Sequence, residues 1–245
     1  MIEISYAGAP VPVRDDLPAA HGRQWQRLGE PGAWWTGAER VAIAAEVRNA
    51  ARCPLCKQRN ATPSADAVEG EHQSLGALSD AAIDVIHRVV TDPGGLSKSW
   101  FEKSCAAGLS DGQYVELIGV LVTVVSIDSF CRGLGVPLHP LPEPLPGDPS
   151  RYRPPAAALE GAWVPMIPAA SASGDESDLW TRGRTGNVIR ALSLVPDEVR
   201  GLKDLSEAHY LSPEQMMDLR RGRTLDREQI ELVAGRVSAL RECFY

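Results

Sequence analysis

The stretch from Thr36 to Cys56 constrains the chain most tightly, because it specifies a helix, the start of that helix and its break. Thr36 is an N-cap residue, and Glu39 three positions later completes a capping-box pattern. From Gly37 to Arg52 nearly every residue is a good helix former, with Ala at 38, 42, 44, 45, 50 and 51. Val41, Ala44, Val47 and Ala51 recur at helical spacing and predict one apolar stripe. Pro54 suits the first position of a new helix, where its missing N–H costs nothing. The chain is therefore predicted to break at Cys53, leaving Cys53-Pro54-Leu55-Cys56 at a helix junction with Cys53 as N-cap.

The same cap signals predict helices over much of the chain. Ser79 and Asp80 open a helix that runs to Thr91, Ser97 opens one that reaches Ala107, and Ser110 opens one from Asp111 to about Leu134. This last segment contains the β-branched run from Val120 to Val125, which by propensity alone suits a strand. A helix is predicted because Ser110 caps it and a fully buried helix can be apolar all round. Further helices are expected at 186–193, 196–206, 212–221 and 227–239. Residues 1–22 carry no helical periodicity and are expected to form an arm. Ten prolines between Val136 and Pro168 predict an extended linker, with Trp163 and Met166 as possible anchors. The expected organisation is all-α: an arm at 1–22, a helical unit at 23–135, a linker at 136–178 and a second unit at 179–245.

The formal net charge is −7, which argues against a general surface for nucleic acid or anionic membrane. The cluster Arg220-Arg221-Gly222-Arg223 is short and flanked by acids. The longest apolar run, Leu117 to Ile127, is well short of the ~20 residues that cross a bilayer, and Glu116 and Asp128 bound it. No leader-like pattern opens the chain. Five cysteines at irregular spacing do not form a secreted disulfide framework. A cytoplasmic protein with no membrane or nucleic-acid partner is expected.

In a reducing compartment, a CxxC is a redox pair or half of a metal site. A thiol attacks only as thiolate, and a helix N-terminus lowers its pKa. Arg52, Lys57 and Arg59 add positive charge nearby. A thioredoxin-like fold is disfavoured, since a helix rather than a strand precedes the motif. Zinc needs two more ligands. Cys105, Cys131, His72 and His87 are available, but none pairs at C-x-x-C or H-x-x-x-H spacing, so neither a metal nor another cofactor is expected. Burial as small hydrophobes is the remaining alternative for the two thiols. His72 and His87 reach the site only if folding brings them there; each is expected on the surface or hydrogen-bonded in the core. Glu69 and Glu71 are expected as solvated loop charges.

A Glu-bearing helix followed by C-x-x-C at a helix junction resembles the AhpD-like alkylhydroperoxidases of the carboxymuconolactone decarboxylase superfamily. The resemblance extends through Gly108-Leu109-Ser110-Asp111-Gly112-Gln113-Tyr114-Val115-Glu116-Leu117 and through Phe130 to Gly135. Asn187-Val188-Ile189-Arg190-Ala191-Leu192-Ser193-Leu194 resembles the opening of a second such unit. The family pattern is E-x11-C-x-x-C-x-x-x-H. It implies that Cys56 attacks a peroxide and Cys53 resolves the product as a disulfide, while Glu and His relay protons. In this chain Asn60 stands at the His position and Val41 at the Glu position. Glu46, two helical turns before Cys53, is the candidate acid.

Glu231 and Cys243 stand at E-x11-C spacing in the second unit, so they too are candidate catalytic residues. The partner cysteine position of that unit is 246. The resemblance carries the expectation that the natural chain continues there with selenocysteine, whose UGA codon reads as a stop, and with a downstream His; the codon after Tyr245 decides it. Glu116 and Cys131 echo the spacing, but Asp128 replaces a first cysteine, which points to core packing. The resemblance implies a thiol-dependent peroxidase acting on a hydroperoxide, recharged by an external dithiol and assembled as a homo-oligomer. The alternatives are a non-catalytic helical oligomerisation module and, lowest, a decarboxylase-type lyase of the same superfamily.

Overall fold

A computed structural model describes residues 3–62, 68–180, 185–212, 215, 216, 218, 220, 224–240 and 243. The fold is all-α. The helices are α1 (Asp16–Gly29), α2 (Gly37–Ala50), α3 (Pro54–Asn60), α4 (Asp80–Thr91), α5 (Lys98–Ala106), α6 (Asp111–Leu134), α7 (Asn187–Arg190), α8 (Pro196–His209) and α9 (Arg227–Leu240). Two-residue strands at Ala158–Leu159 and Pro165–Met166 form an antiparallel pair, with Ala158 opposite Met166. The chain divides into two compact units, Met1–Leu205 and Ser206–Tyr245.

Local chemistry accounts for the helix ends. Thr36 and Glu39 close the capping box on α2, and Ser79 and Ser97 cap α4 and α5 through Ala82 N–H and Trp100 N–H. Ser110 and Gln113 form a second capping box on α6. At its other end Gly135 takes a left-handed φ of 70°, which only glycine adopts without strain. The Val136 N–H then bonds Cys131 O and the Gly135 N–H bonds Arg132 O, a Schellman closure. These closures hold Val120 to Val125 helical against their strand propensity. α6 is long and apolar enough to span a bilayer, the only such helix among the described residues, and 67% of its most apolar window is buried within the protein.

α2 lies at the centre of the first unit and packs on α1, α4 and α6. Its core face is Arg40, Ile43, Ala44, Val47 and Ala50. Of the expected stripe, Ala44 and Val47 are buried, Val41 is half-buried beside the buried Arg40, and Ala51 is exposed because the helix stops at Ala50. The expected arm at 1–22 is partly helical: α1 starts at Asp16, and Ile4 and Tyr6 before it are buried.

The proline-rich stretch is bound to the first unit. Trp25 Nε1 donates to Pro140 O at 2.7 Å, and the Leu145, Ser150 and Arg151 N–H groups bond the carbonyls of Gly29, Gly32 and Ala33. Met166 is fully buried, whereas Trp163 is 40% exposed. Half of the residues of the helix expected at 212–221 lie outside the described residues.

A buried ion cluster fixes α8 against this core. The Arg27 guanidinium grips Glu198 at 2.8 Å through both nitrogens. Arg40 bonds Glu198 at 3.1 Å and also Glu116. Burial works against the Glu198 charge, but the two guanidiniums prevail and hold its pKa at about 2. Glu116 is raised instead, by burial first and then by the neighbouring Glu198 charge, even though Arg40 and the Trp34 N–H oppose this. A Cβ at Gly119 would overlap the Glu198 carboxylate. Gly119→Ala is therefore expected to lower stability by about 1–3 kcal/mol through overpacking, read as a lower urea midpoint with an unchanged slope.

Candidate active site

The break at Pro54 forms as the sequence predicts, with Cys53 as N-cap and Pro54 at the start of α3. Cys53 and Cys56 are buried at 1% and 2% exposure. The Cys56 N–H faces the Cys53 sulfur without closing a full cap hydrogen bond.

Two histidines converge on these sulfurs from other segments. His87 Nδ1, on α4, lies 3.3 Å from Cys56 Sγ. His72 Nδ1, on the loop before α4, lies 3.5 Å from Cys56 Sγ and 3.7 Å from Cys53 Sγ. The imidazole rings lie 4.3 Å apart, tilted by 45°.

Each histidine is held from behind by a carboxylate. Glu46 Oε1 is 2.8 Å from His87 Nε2, and both side chains are fully buried. Glu46 also accepts from Asn49 Nδ2 and from the Leu75 N–H, both at 2.9 Å. Asp84 Oδ1 is 3.1 Å from His72 Nε2, while its other oxygen accepts from Trp100 Nε1 at 2.8 Å. Arg59 adds a cation 3.6 Å from Asp84. Each Nε2–H thus has a carboxylate acceptor, which leaves each Nδ1 directed at sulfur; this tautomer assignment follows from the hydrogen bonds.

The electrostatics follow from these contacts. Burial pushes the Cys56 thiol up, but hydrogen bonds from His72, His87 and Thr91 outweigh it and bring the pKa down to about 5. Cys53 moves the same way: burial is opposed by the Cys56 N–H, by His72 and by the Gln73 N–H. For His72, burial favours the neutral ring, yet Asp84 and the two sulfurs raise it to about 10. His87 is raised against burial by Cys56 and Glu46, with the neighbouring His72 charge opposing. Glu46 and Asp84 are lowered against burial, chiefly by their histidines.

Of the residues singled out from sequence, the structure joins Cys53, Cys56 and Glu46 in one site. Glu46 meets the thiols only through His87. Asn60 lies outside the relay; its Nδ2 donates to Thr91 O at 2.9 Å and ties α3 to α4. Glu69 and Glu71 are exposed. Cys131 packs beside Tyr6, with its sulfur 3.9 Å from the hydroxyl. In the second unit, Glu231 bonds Tyr210 and pairs with Arg227 at 2.6 Å. Cys243 is exposed. Cys243 lies beyond the end of α9, which stops at Leu240.

Sequence reasoning missed Asp84, and it expected His72 and His87 on the surface or hydrogen-bonded in the core, whereas folding brings both to the sulfurs; Arg59 was expected as nearby positive charge. One signal was available: His87 follows Ile83 by one helical turn and so falls on the buried face of α4, with Asp84 one turn before it. The spacing argument against a metal also failed to anticipate this arrangement. Cys53, Cys56, His72 and His87 bring four donor atoms within 4.8 Å of one another. An apolar cavity of about 420 Å³ lies elsewhere, lined by residues including Val89, Tyr114, Ile118 and Leu192 and by neither cysteine. No family model, curated protein or solved structure matches the chain.

The thiolate absorbance of reduced, metal-free protein, taken as wild type minus Cys56→Ser, is expected to rise with pH to half its height near pH 5. Cys56 is then ionised throughout the neutral range. In His72→Ala the midpoint should move up toward the ordinary cysteine value of about 8.5.

Proposed function

We propose that the protein is a thiol-dependent peroxidase, an oxidoreductase similar to the AhpD-like alkylhydroperoxidases. The observation that carries this is the continuous chain Glu46–His87–Cys56, with contacts of 2.8 and 3.3 Å, and a second cysteine beside it. A thiolate is activated by an adjacent base that is itself oriented by a third group. His87, rather than a residue four positions beyond Cys56, supplies that base.

In the proposed reaction, the Cys56 thiolate attacks the distal oxygen of a hydroperoxide. An S–O bond forms and the O–O bond breaks. The departing alkoxide or hydroxide takes a proton from the His87 imidazolium and leaves as alcohol or water. Cys56 is now a sulfenic acid. Cys53, as thiolate, attacks that sulfur; the S–S bond forms, the S–O bond breaks, and hydroxide leaves with a proton from His72 as water. An external dithiol then reduces the disulfide by exchange, becoming a disulfide itself. Glu46 and Asp84 position the histidines and stabilise their charged forms. The burial of both sulfurs suits a small peroxide that arrives past His72 and the partly exposed Asp84.

With hydrogen peroxide as substrate and dithiothreitol as donor, Cys56→Ser is expected to abolish turnover. Cys53→Ser should give a single sulfenic acid per chain, trapped by dimedone and read by mass spectrometry. Glu46→Gln should lower turnover about 10- to 100-fold and alter its pH profile, as a positioning residue does. Undiminished turnover in the Cys53→Ser/Cys56→Ser double variant would falsify the proposal.

A non-catalytic helical oligomerisation module is the second reading, favoured by one observation. On α9, Leu232, Val233, Val237 and Leu240 are between 55% and 74% exposed. An apolar helix face of this kind fits a second copy of the chain. Light scattering is expected to show a homo-oligomer that Leu232→Glu/Val233→Glu/Leu240→Glu converts to monomer. A wild-type monomer would remove this reading.

A further inference from the structure

We propose that Cys53 Sγ, Cys56 Sγ, His72 Nδ1 and His87 Nδ1 bind one Zn²⁺ ion in the reduced protein. The proposal does not rest on the peroxidase reading, because metal binding requires only the four donors.

The distances match a tetrahedron. With Zn–S of about 2.3 Å and Zn–N of about 2.05 Å, an ideal tetrahedron has S···N edges of about 3.6 Å. Three of the four sulfur–nitrogen distances are 3.3, 3.5 and 3.7 Å, and all four donors, the Cys53–His87 pair included, lie within 4.8 Å of one another. Little rearrangement is needed to admit an ion among them.

The donor chemistry selects the metal. Two thiolates and two imidazoles in a compact tetrahedral arrangement suit zinc, whereas magnesium and calcium require oxygen ligands. Two thiolate charges neutralise Zn²⁺, so the buried site carries no net charge from ligands and ion together.

The shell behind the donors gives independent support. A metal-bound histidine characteristically gives its other ring N–H to a carboxylate, which fixes the tautomer and raises ligand basicity. Both histidines have that partner: Glu46 behind His87 and Asp84 behind His72. Each carboxylate is itself anchored, Glu46 by Asn49 and the Leu75 N–H, Asp84 by Trp100.

Zinc and peroxide would compete for the Cys56 sulfur. Oxidation to a Cys53–Cys56 disulfide would remove two of the four ligands and release the ion. The site would therefore hold zinc only in the reduced state.

The test uses the full chain, reduced, stripped with a chelator and titrated anaerobically with Co²⁺. One equivalent is expected to give thiolate-to-cobalt charge-transfer absorption and the intense visible bands of tetrahedral cobalt, and Zn²⁺ should displace it and erase both. Cys105→Ser should bind as wild type does. Cys56→Ser and His87→Ala should weaken binding by more than about 100-fold, whereas Glu46→Gln and Asp84→Asn should cost about 10- to 100-fold and keep the tetrahedral spectrum. If a ligand variant fails to fold, the wild type decides. In urea sufficient to expose both sulfurs without metal, Zn²⁺ must protect Cys53 and Cys56 from alkylation and leave Cys105 and Cys243 labelled as before. A weak octahedral spectrum at one equivalent overturns the proposal, as does identical labelling of Cys53 and Cys56 with and without Zn²⁺. Every arm reads metal binding alone, so a chain without peroxidase activity can still pass, and a peroxidase can still fail.

Discussion

The buried Glu46–His87 pair is the constraint on which the site depends. A carboxylate with no exposure is tolerated only when its charge is matched and its oxygens are hydrogen-bonded. Glu46 meets both conditions, with the His87 imidazole on one oxygen and the Leu75 N–H on the other. These partners come from α4 and from the loop before it. Satisfying one side chain of α2 therefore fixes the histidine under Cys56 and also folds the loop that carries His72 across the cysteines. The same helix repeats the device at Arg40, which sits among Glu116 and Glu198, and at Arg48, which grips Asp128 at 2.7 and 2.8 Å. α2 is sparing in large apolar side chains, and its packing partners are selected in good part by charge. Such pairs are weak evidence for stability, since a hydrophobic replacement can do as well. They do favour one arrangement of the helices over its alternatives, because a misregistered α4 or α6 would strand a charge.

That arrangement gives the four donor atoms two chemical uses. As a redox pair, the thiols need an activated attacking sulfur, a resolving sulfur and a proton relay. As a metal site, they need two thiolates and two neutral imidazoles with carboxylates behind them. The positions of Glu46 and Asp84 serve both uses, since a carboxylate on Nε2 either stabilises an imidazolium or strengthens a neutral ligand. The difference lies in where the histidine proton resides. Facing a thiolate, Nδ1 carries it; facing a cation, Nδ1 must give it up. The two proposed uses would therefore be exclusive states of one set of atoms.

Local signals made much of the helical framework legible. Thr36, Ser79, Ser97 and Ser110 each open a helix where their side-chain oxygens meet free N–H groups, and Pro54 breaks the chain one residue after Cys53. These are short-range effects, decided within four residues. The proline-rich stretch was less legible. Proline content predicts a stretch without helix, and residues 136–168 form none, but their attachment to Trp25, Gly29 and Gly32 is set by partners more than a hundred residues away. The site was legible only at Cys53, Cys56 and Glu46. Glu46 was recognisable by its helical distance from Cys53. His72 lies 16 residues from Cys56 and His87 lies 31, and no spacing rule connects them without the turn that Glu46 imposes through Leu75.

Asn60 takes a structural place in this packing. The resemblance puts the proton-carrying histidine there, and an asparagine cannot titrate. Its carboxamide instead bonds Thr91 O, while the Thr91 hydroxyl donates to His87 O at 2.7 Å. Thr91 is also among the groups that lower the Cys56 thiol. Position 60 therefore bears on the sulfur at one remove, by anchoring α3 to the end of the helix that carries His87. His87 stands on α4, not on the short helix that carries Cys56, and Glu46 reaches it there from α2. The chain of contacts Glu46–His87–Cys56 therefore spans three helices, and its geometry is a property of how α2, α3 and α4 pack.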